Sequence, residues 1–225
     1  MKRRVIVGLV LAFTAFASAL AEPNIRIVVG LVELPSILGT ADPDGPPGMI
    51  LPAQIQPVPL HSHPTSKSPV VAMISSPDTV ETKEFDYEAR AAAVYEMADD
   101  WVLVRMIVDS SSYKLGWIHP NSRGPFHPVE DLFKSGLCYL TTDWDGFLYA
   151  DAGNSKAVSK TNPNGQTRDI NILEMRKLRD RLWVAIELLG PGRCVGIEPG
   201  IVAKGWVPVH KRDGKLNVWF FSRGC

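Results

Sequence analysis

From residue 70 onward the chain is built of short apolar runs separated by Gly, Pro, Asn and Asp. VVAMI (70–74), AAAVYEM (91–97), WVLVRMIV (101–108), WVAIELL (183–189) and LNVWFF (216–221) are rich in β-branched and aromatic residues. Runs of this length and composition, closed by turn residues, predict β-strands. The segment with the best helical signal is ILEMRKLRDRL (172–182), yet it coincides with AAAVYEMADDW (91–101) when the two halves of the chain are aligned. It is therefore expected to form a strand and a hairpin. Together these patterns predict an all-β protein with little helix.

The alignment rests on an internal repeat. Residues 99–120, DDWVLVRMIVDSSSYKLGWIHP, run from a Trp-led strand through a polar turn to Gly-Trp and a proline, and residues 181–208 do the same. Trp101 matches Trp183, and Gly116-Trp117 matches Gly205-Trp206. The second copy is longer by an insert around Cys194. A repeat of this kind marks two similar units in one chain.

The first residues carry a different pattern. Lys2, Arg3 and Arg4 precede an almost unbroken apolar run, Val5–Phe16, and Ala19-Leu20-Ala21 has the small-x-small form of a cleavage site. This predicts a signal peptide, residues 1–21, cleaved after Ala21. The run falls short of the ~20 residues a membrane span needs, so the expected product is exported, periplasmic or secreted, with no membrane span. The leader holds three of the 24 cations and none of the 24 anions, which leaves a net formal charge of −3. Such a balance gives no electrostatic case for nucleic acid.

Between the leader and the first strands, residues 41–69 contain eight prolines, which predicts an extended, Pro-rich lead-in. The run IRIVVGLVEL (25–34) ahead of it is apolar and β-branched and is expected to add an edge strand.

The order of these pieces resembles the bacterial SH3-like domain. LHSHPTSKSPVVAMI, VYEMADDWVLVRM and LGWIHP are similar to its opening strand, its apolar strand, its W-x-x-V strand and its final Gly-Trp strand. In the second copy FLYADAGN (147–154) takes the opening position, followed by Trp183 and Gly205-Trp206. GLVELP, YLTTDWDGFLY and VWFFSRGC are in addition similar to exported proteobacterial proteins with tandem domains of this kind, a likeness that brings no activity with it. The resemblance implies two small SH3-like antiparallel β-barrels in tandem: an N-terminal extension over 22–53, a first domain over 54–130 and a second over 137–225, with the short linker VEDLFKSG packing them together. It also implies a groove lined by exposed aromatics that stack on an extended peptide. The candidates are Trp101, Tyr113 and Trp117 in the first domain and Tyr149, Trp183 and Trp206 in the second.

Catalytic patterns are weak by comparison. Exported SH3-like domains accompany papain-like peptidases, but Cys138, in GLCYL, reads as a buried strand residue, and Cys194, in GPGRCVG, sits in a loop with nothing to activate a thiol. Cys194 and the terminal Cys225 lie in flexible places and are the expected disulfide. His61 and His63 have strand spacing, and with His119 and His127 they place four imidazoles in the first domain. Three of these four precede proline directly, and no carboxylate or thiolate stands at ligand spacing, which argues against a metal. No Gly-rich phosphate loop or serine elbow is present, and no cofactor is expected. The expected function is a non-catalytic cell-envelope binding module for a peptide, a peptidoglycan stem or an envelope protein. The alternatives are an accessory or regulatory subunit of a separate cell-wall hydrolase and, least favoured, a cysteine-dependent hydrolase.

Overall fold

The computed structural model describes residues 26–42, 44–46, 49–86, 89–154, 156–160, 168–179, 181–191, 193, 196 and 198–223. The leader, Cys194 and Cys225 lie outside them. Within them the protein is all-β, with two antiparallel sheets and two short helices.

The first sheet is formed by β1 (Gly30–Val32), β4 (Val58–His61), β5 (Val70–Ile74), β6 (Thr82–Glu84), β7 (Arg90–Ala98), β8 (Trp101–Ile107), β9 (Tyr113–Ile118) and β10 (Phe126–Pro128). A four-residue helix, α1 (Pro35–Leu38), and a small ladder of β2 (Thr40–Ala41) with β3 (Ile50–Leu51) lie between β1 and β4. The second sheet holds β11 (Cys138–Leu140), β12 (Phe147–Tyr149), β13 (Ala157–Lys160), β14 (Arg168–Leu178), β15 (Arg181–Leu189), β16 (Ile201–Pro208) and β17 (Val218–Phe220). Helix α2 (Val129–Ser135) joins the two sheets.

The repeat seen in the sequence is a repeat of topology. The first sheet runs β10-β1-β7-β8-β9-β4-β5, and the second runs β17-β11-β14-β15-β16-β12-β13. Each of the seven strands on one path has a counterpart on the other at the same place in chain order, and only β6, which pairs with β7 off the path, is without one. The irregularities repeat as well. A bulge falls between Val94 and Glu96 in β7 and between Ile172 and Glu174 in β14, and another after Leu60 in β4 and after Leu148 in β12. Both central hairpins turn on two residues, and the first, Asp99 or Arg179, has a positive φ, of 51° and 56°, as the twist of such hairpins demands. ILEMRKLRDRL is the strand and hairpin its alignment predicted.

Two expectations are corrected. The GLVEL segment is no edge addition, because β1 lies inside the first sheet, between β7 and β10. Its counterpart GLCYL does the same between β14 and β17. The expected closed barrels are open strand paths, ending at β5 and β10 in one half and at β13 and β17 in the other. In the first half Pro69 precedes β5 and Pro128 closes β10, and proline has no N–H with which to extend a ladder. The linker VEDLFKSG is a helix whose buried residues Val129, Leu132 and Phe133 recur at helical spacing on one face.

The inner face of the first sheet packs Val32, Leu60, Ala92, Val94, Val102 and Ile118 into one core, covered by Ile37 of α1. Its outer face, with Leu31, Ala91, Ala93 and Tyr95, belongs to a second core shared with α2, Trp219, Phe220 and the interior of the second half. Strand β7 is thus buried on both sides, and the small side chains of Ala91, Ala92 and Ala93 let it sit between two packed layers.

Candidate functional site

In each half three neighbouring strands carry matched aromatic positions. β4, β9 and β8 present His61, Trp117 and Trp101, with His61 paired to Trp117. β12, β16 and β15 present Tyr149, Trp206 and Trp183, with Tyr149 paired to Trp206. The rings meet in the same manner: His61 lies edge-on to Trp101 at 5.2 Å, and Tyr149 edge-on to Trp183 at 5.6 Å. His119 adds a second edge contact to Trp101 at 4.7 Å. At its counterpart stands Pro208, paired to Trp183.

The six predicted aromatics separate once placed. Trp101 and Trp117 are each only 8% exposed and form part of the shared core. Tyr113 is 54% exposed and faces the Arg105 guanidinium at 4.2 Å, so it shares no open groove with Trp117. Trp206 is roofed by Arg176 at 4.6 Å, which is itself held by Asp151 and Glu174 at 2.9 Å. Tyr149 and Trp183 line an open cavity of about 480 Å³ together, although Trp183 is itself only 5% exposed and offers the cavity no more than the edge of its ring.

That cavity is rimmed by Asp145, Asn154, Arg181, Lys211, Arg212 and Asp213, with Asn217 in its lining. Arg181 lies 5.5 Å over the Trp183 ring and donates to the backbone oxygen of His210 at 2.8 Å. Lys211 donates to the Asp143 carbonyl at 2.8 Å. The Tyr149 phenol is raised above its ordinary value, first by burial and then by the Asp145 carboxylate, while Arg181 and Arg212 act in the opposite direction. Both guanidiniums therefore reach the phenol electrostatically. The result is an apolar wall beside a rim with more cations than anions, a form suited to a ligand with an apolar part and an anionic part.

A second cavity, of about 610 Å³, lies between the halves. Several of its charges are paired. Arg105 pairs with Glu81 at 2.8 Å, Lys215 with Asp143 at 3.2 Å, and Arg223 with Glu84 at 2.5 Å across the junction. Tyr95 donates to Glu81 and stacks on Arg105, at 4.4 Å from cation to ring centre. The arrangement is that of a polar seam between packed domains.

The remaining candidates for chemistry have structural employment. His61 donates to the Ser68 carbonyl, and His119 accepts from the Asn121 N–H and so caps a short 3-10 turn. His127 pairs with Glu33 at 2.8 Å. β4 ends at His61, and His63 is exposed in the following turn, where it pairs with the Ser62 hydroxyl, so the two do not share a strand face. Among the described residues no three His, Cys, Asp or Glu side chains converge as metal ligands. Nor is any helix among them long and apolar enough to cross a membrane.

Cys138 is the buried strand residue expected, and burial pushes its thiol up to about 12, opposite to what a nucleophile requires. The expected result is that thiol reagents at pH 8 label native Cys138 roughly a thousandfold more slowly than the unfolded chain, since the thiolate carries the reaction. Equal rates, read by mass spectrometry of the Cys138 peptide, would contradict its burial.

The polar rim of the Tyr149–Trp183 cavity was not among the candidates read from the sequence. Arg181 had a signal, since it extends the second hairpin just before Trp183. Asn217 had a weaker one, as an amide inside the apolar run LNVWFF. Comparison with known proteins returns no matching family model, no matching curated protein and no matching solved structure.

Proposed function

We propose that this chain is an exported, non-catalytic binding protein of the cell envelope, made of two SH3-like domains in tandem, and that it recognises a peptide, a peptidoglycan stem or an envelope protein. The observation that carries the reading is the open cavity with Tyr149 edge-on to Trp183, at the place where a peptide groove is expected. The duplicated strand order and the paired Gly-Trp strands support the SH3-like assignment. The high proton affinity of Cys138 weighs against a thiol hydrolase at that residue.

The test is co-sedimentation of the purified chain with peptidoglycan. The intact protein is expected in the pellet, and Tyr149→Ala is expected to lower retention roughly tenfold, a loss of about 1.4 kcal/mol, with its circular dichroism unchanged. A chain that stays in the supernatant but recovers a cell-wall hydrolase from an envelope extract would instead be an accessory subunit.

A further inference from the structure

The tandem halves share a topology, but the Tyr149–Trp183 cavity has one feature that points to the chemistry of its ligand. Asn217 lines it and is only 2% exposed. Its side-chain N–H₂ donates to the Pro208 carbonyl at 3.0 Å, which fixes which way the amide points. The amide oxygen Oδ1 is then left, among the described residues, with no donor. A buried acceptor without a donor is unfavourable, so the site is one hydrogen bond short.

The cations around it are not all spent. Arg212 forms no ion pair among the described residues. Arg181 gives one N–H to the His210 carbonyl, out of the several a guanidinium offers. A complementary ligand brings a donor to Asn217, an anion to Arg181 and Arg212, and an apolar group to Tyr149 and Trp183.

We infer that this cavity receives the carboxyl-terminal end of an extended peptide, with the last backbone N–H on Asn217 Oδ1, the terminal carboxylate at Arg181 and Arg212, and the final side chain against Tyr149 and Trp183. A peptide end is the simplest group that holds an N–H, a carboxylate and a side chain on one carbon. The inference rests on the binding-module reading and makes it specific: the second half reads a terminus, and the first does not. By the shared register, the first-half positions matching Tyr149, Pro208 and Asn217 hold His61, His119 and Arg123, and the position two residues before the Trp holds Asp99 where the second half has Arg181. Asp99 is the turn residue of a shorter hairpin, whereas Arg181 stands on the strand of the longer one, and Arg123 is engaged with the carbonyls of Asp100 and Gly124.

The test titrates the whole chain, followed by tryptophan fluorescence, with a mixed pool of N-acetylated tripeptides in three forms. These are free acids, carboxyl-terminal amides, and free acids with the last amide replaced by an ester. The free acids are expected to bind, the amides about tenfold more weakly through loss of the charge-assisted bonds, and the esters severalfold more weakly through loss of the N–H. Arg212→Gln should weaken the free acids roughly tenfold and leave the amides unchanged, and Asp99→Asn should alter nothing. Equal binding of acids and amides, or no effect of Arg212→Gln on the acids, overturns the terminus reading and leaves the binding module standing. Failure of all three pools with retention on peptidoglycan also overturns it, and failure of both assays overturns both readings.

Discussion

Gly116→Ala is expected to destabilise the protein by roughly 2–3 kcal/mol, the upper part of the range for overpacking in a filled core, and Gly205→Ala by less. An added β-carbon at Gly116 would stand 2.5 Å from the β-carbon of Leu60, whereas at Gly205 the same atom would stand 2.9 Å from that of Leu148. Both glycines lie where the opening strand crosses the Gly-Trp strand, which explains why the repeat keeps Gly before Trp in each copy. Alanine also restricts the unfolded chain, an offsetting gain of about 0.4–1 kcal/mol, so the smaller clash at Gly205 leaves the smaller net loss. Leu60→Ala should fail to rescue Gly116→Ala, because the clash is with a β-carbon that alanine retains. Urea denaturation with unchanged m-values measures all of these, and a neutral Gly116→Ala would show that β4 does not cross β9 this closely.

The repeat was legible for the same reason that these glycines matter. Trp101 and Trp183, and the Gly-Trp pairs, occupy positions where two strands and a bulge must meet, so sequence and geometry constrain each other there. The hairpin of β14 and β15 was legible through alignment alone, since its own residues have helical character and a strand partner overrides that preference. The place of β1 was harder to see. Gly30–Val32 is apolar enough for a strand, but its neighbours β7 and β10 lie far along the chain, and local pattern does not encode distant pairing. The burial of Trp101 and Trp117 was hidden for a related cause. Trp183 and Trp206 are as closed to solvent, at 5% and 8%, but it is the docking of the first sheet's outer face against α2 and Trp219, far along the chain, that places Trp101 and Trp117 in the shared core. The cavity was half legible: Tyr149 and Trp183 came from the repeat, while Arg212 and Asn217 have no counterpart pattern to reveal them.

Acid should expose a second weakness, at His210. The residue is only 5% exposed, its Nε2 has no hydrogen-bond partner among the described residues, and its ring is held neutral. Burial first, and the Arg181 guanidinium second, lower its proton affinity from the ordinary 6.5 to about 4. The unfolded chain therefore binds a proton at pH values where the folded chain does not. The stability this gives is fully present above pH 6.5 and is lost as the pH falls toward 4, by about 2 kcal/mol at pH 5 and about 3 kcal/mol at pH 4. Carboxylates elsewhere add their own acid dependence, so the quantity to measure is the difference between the native chain and His210→Leu. The variant, which has no proton to gain at this position, should lose that much less stability between pH 7 and pH 4 in urea titrations. Parallel curves for the two proteins would mean that His210 is solvated in the folded state, and the packing of the Val209–His210 segment against Leu216–Asn217 would have to be looser than the structure describes.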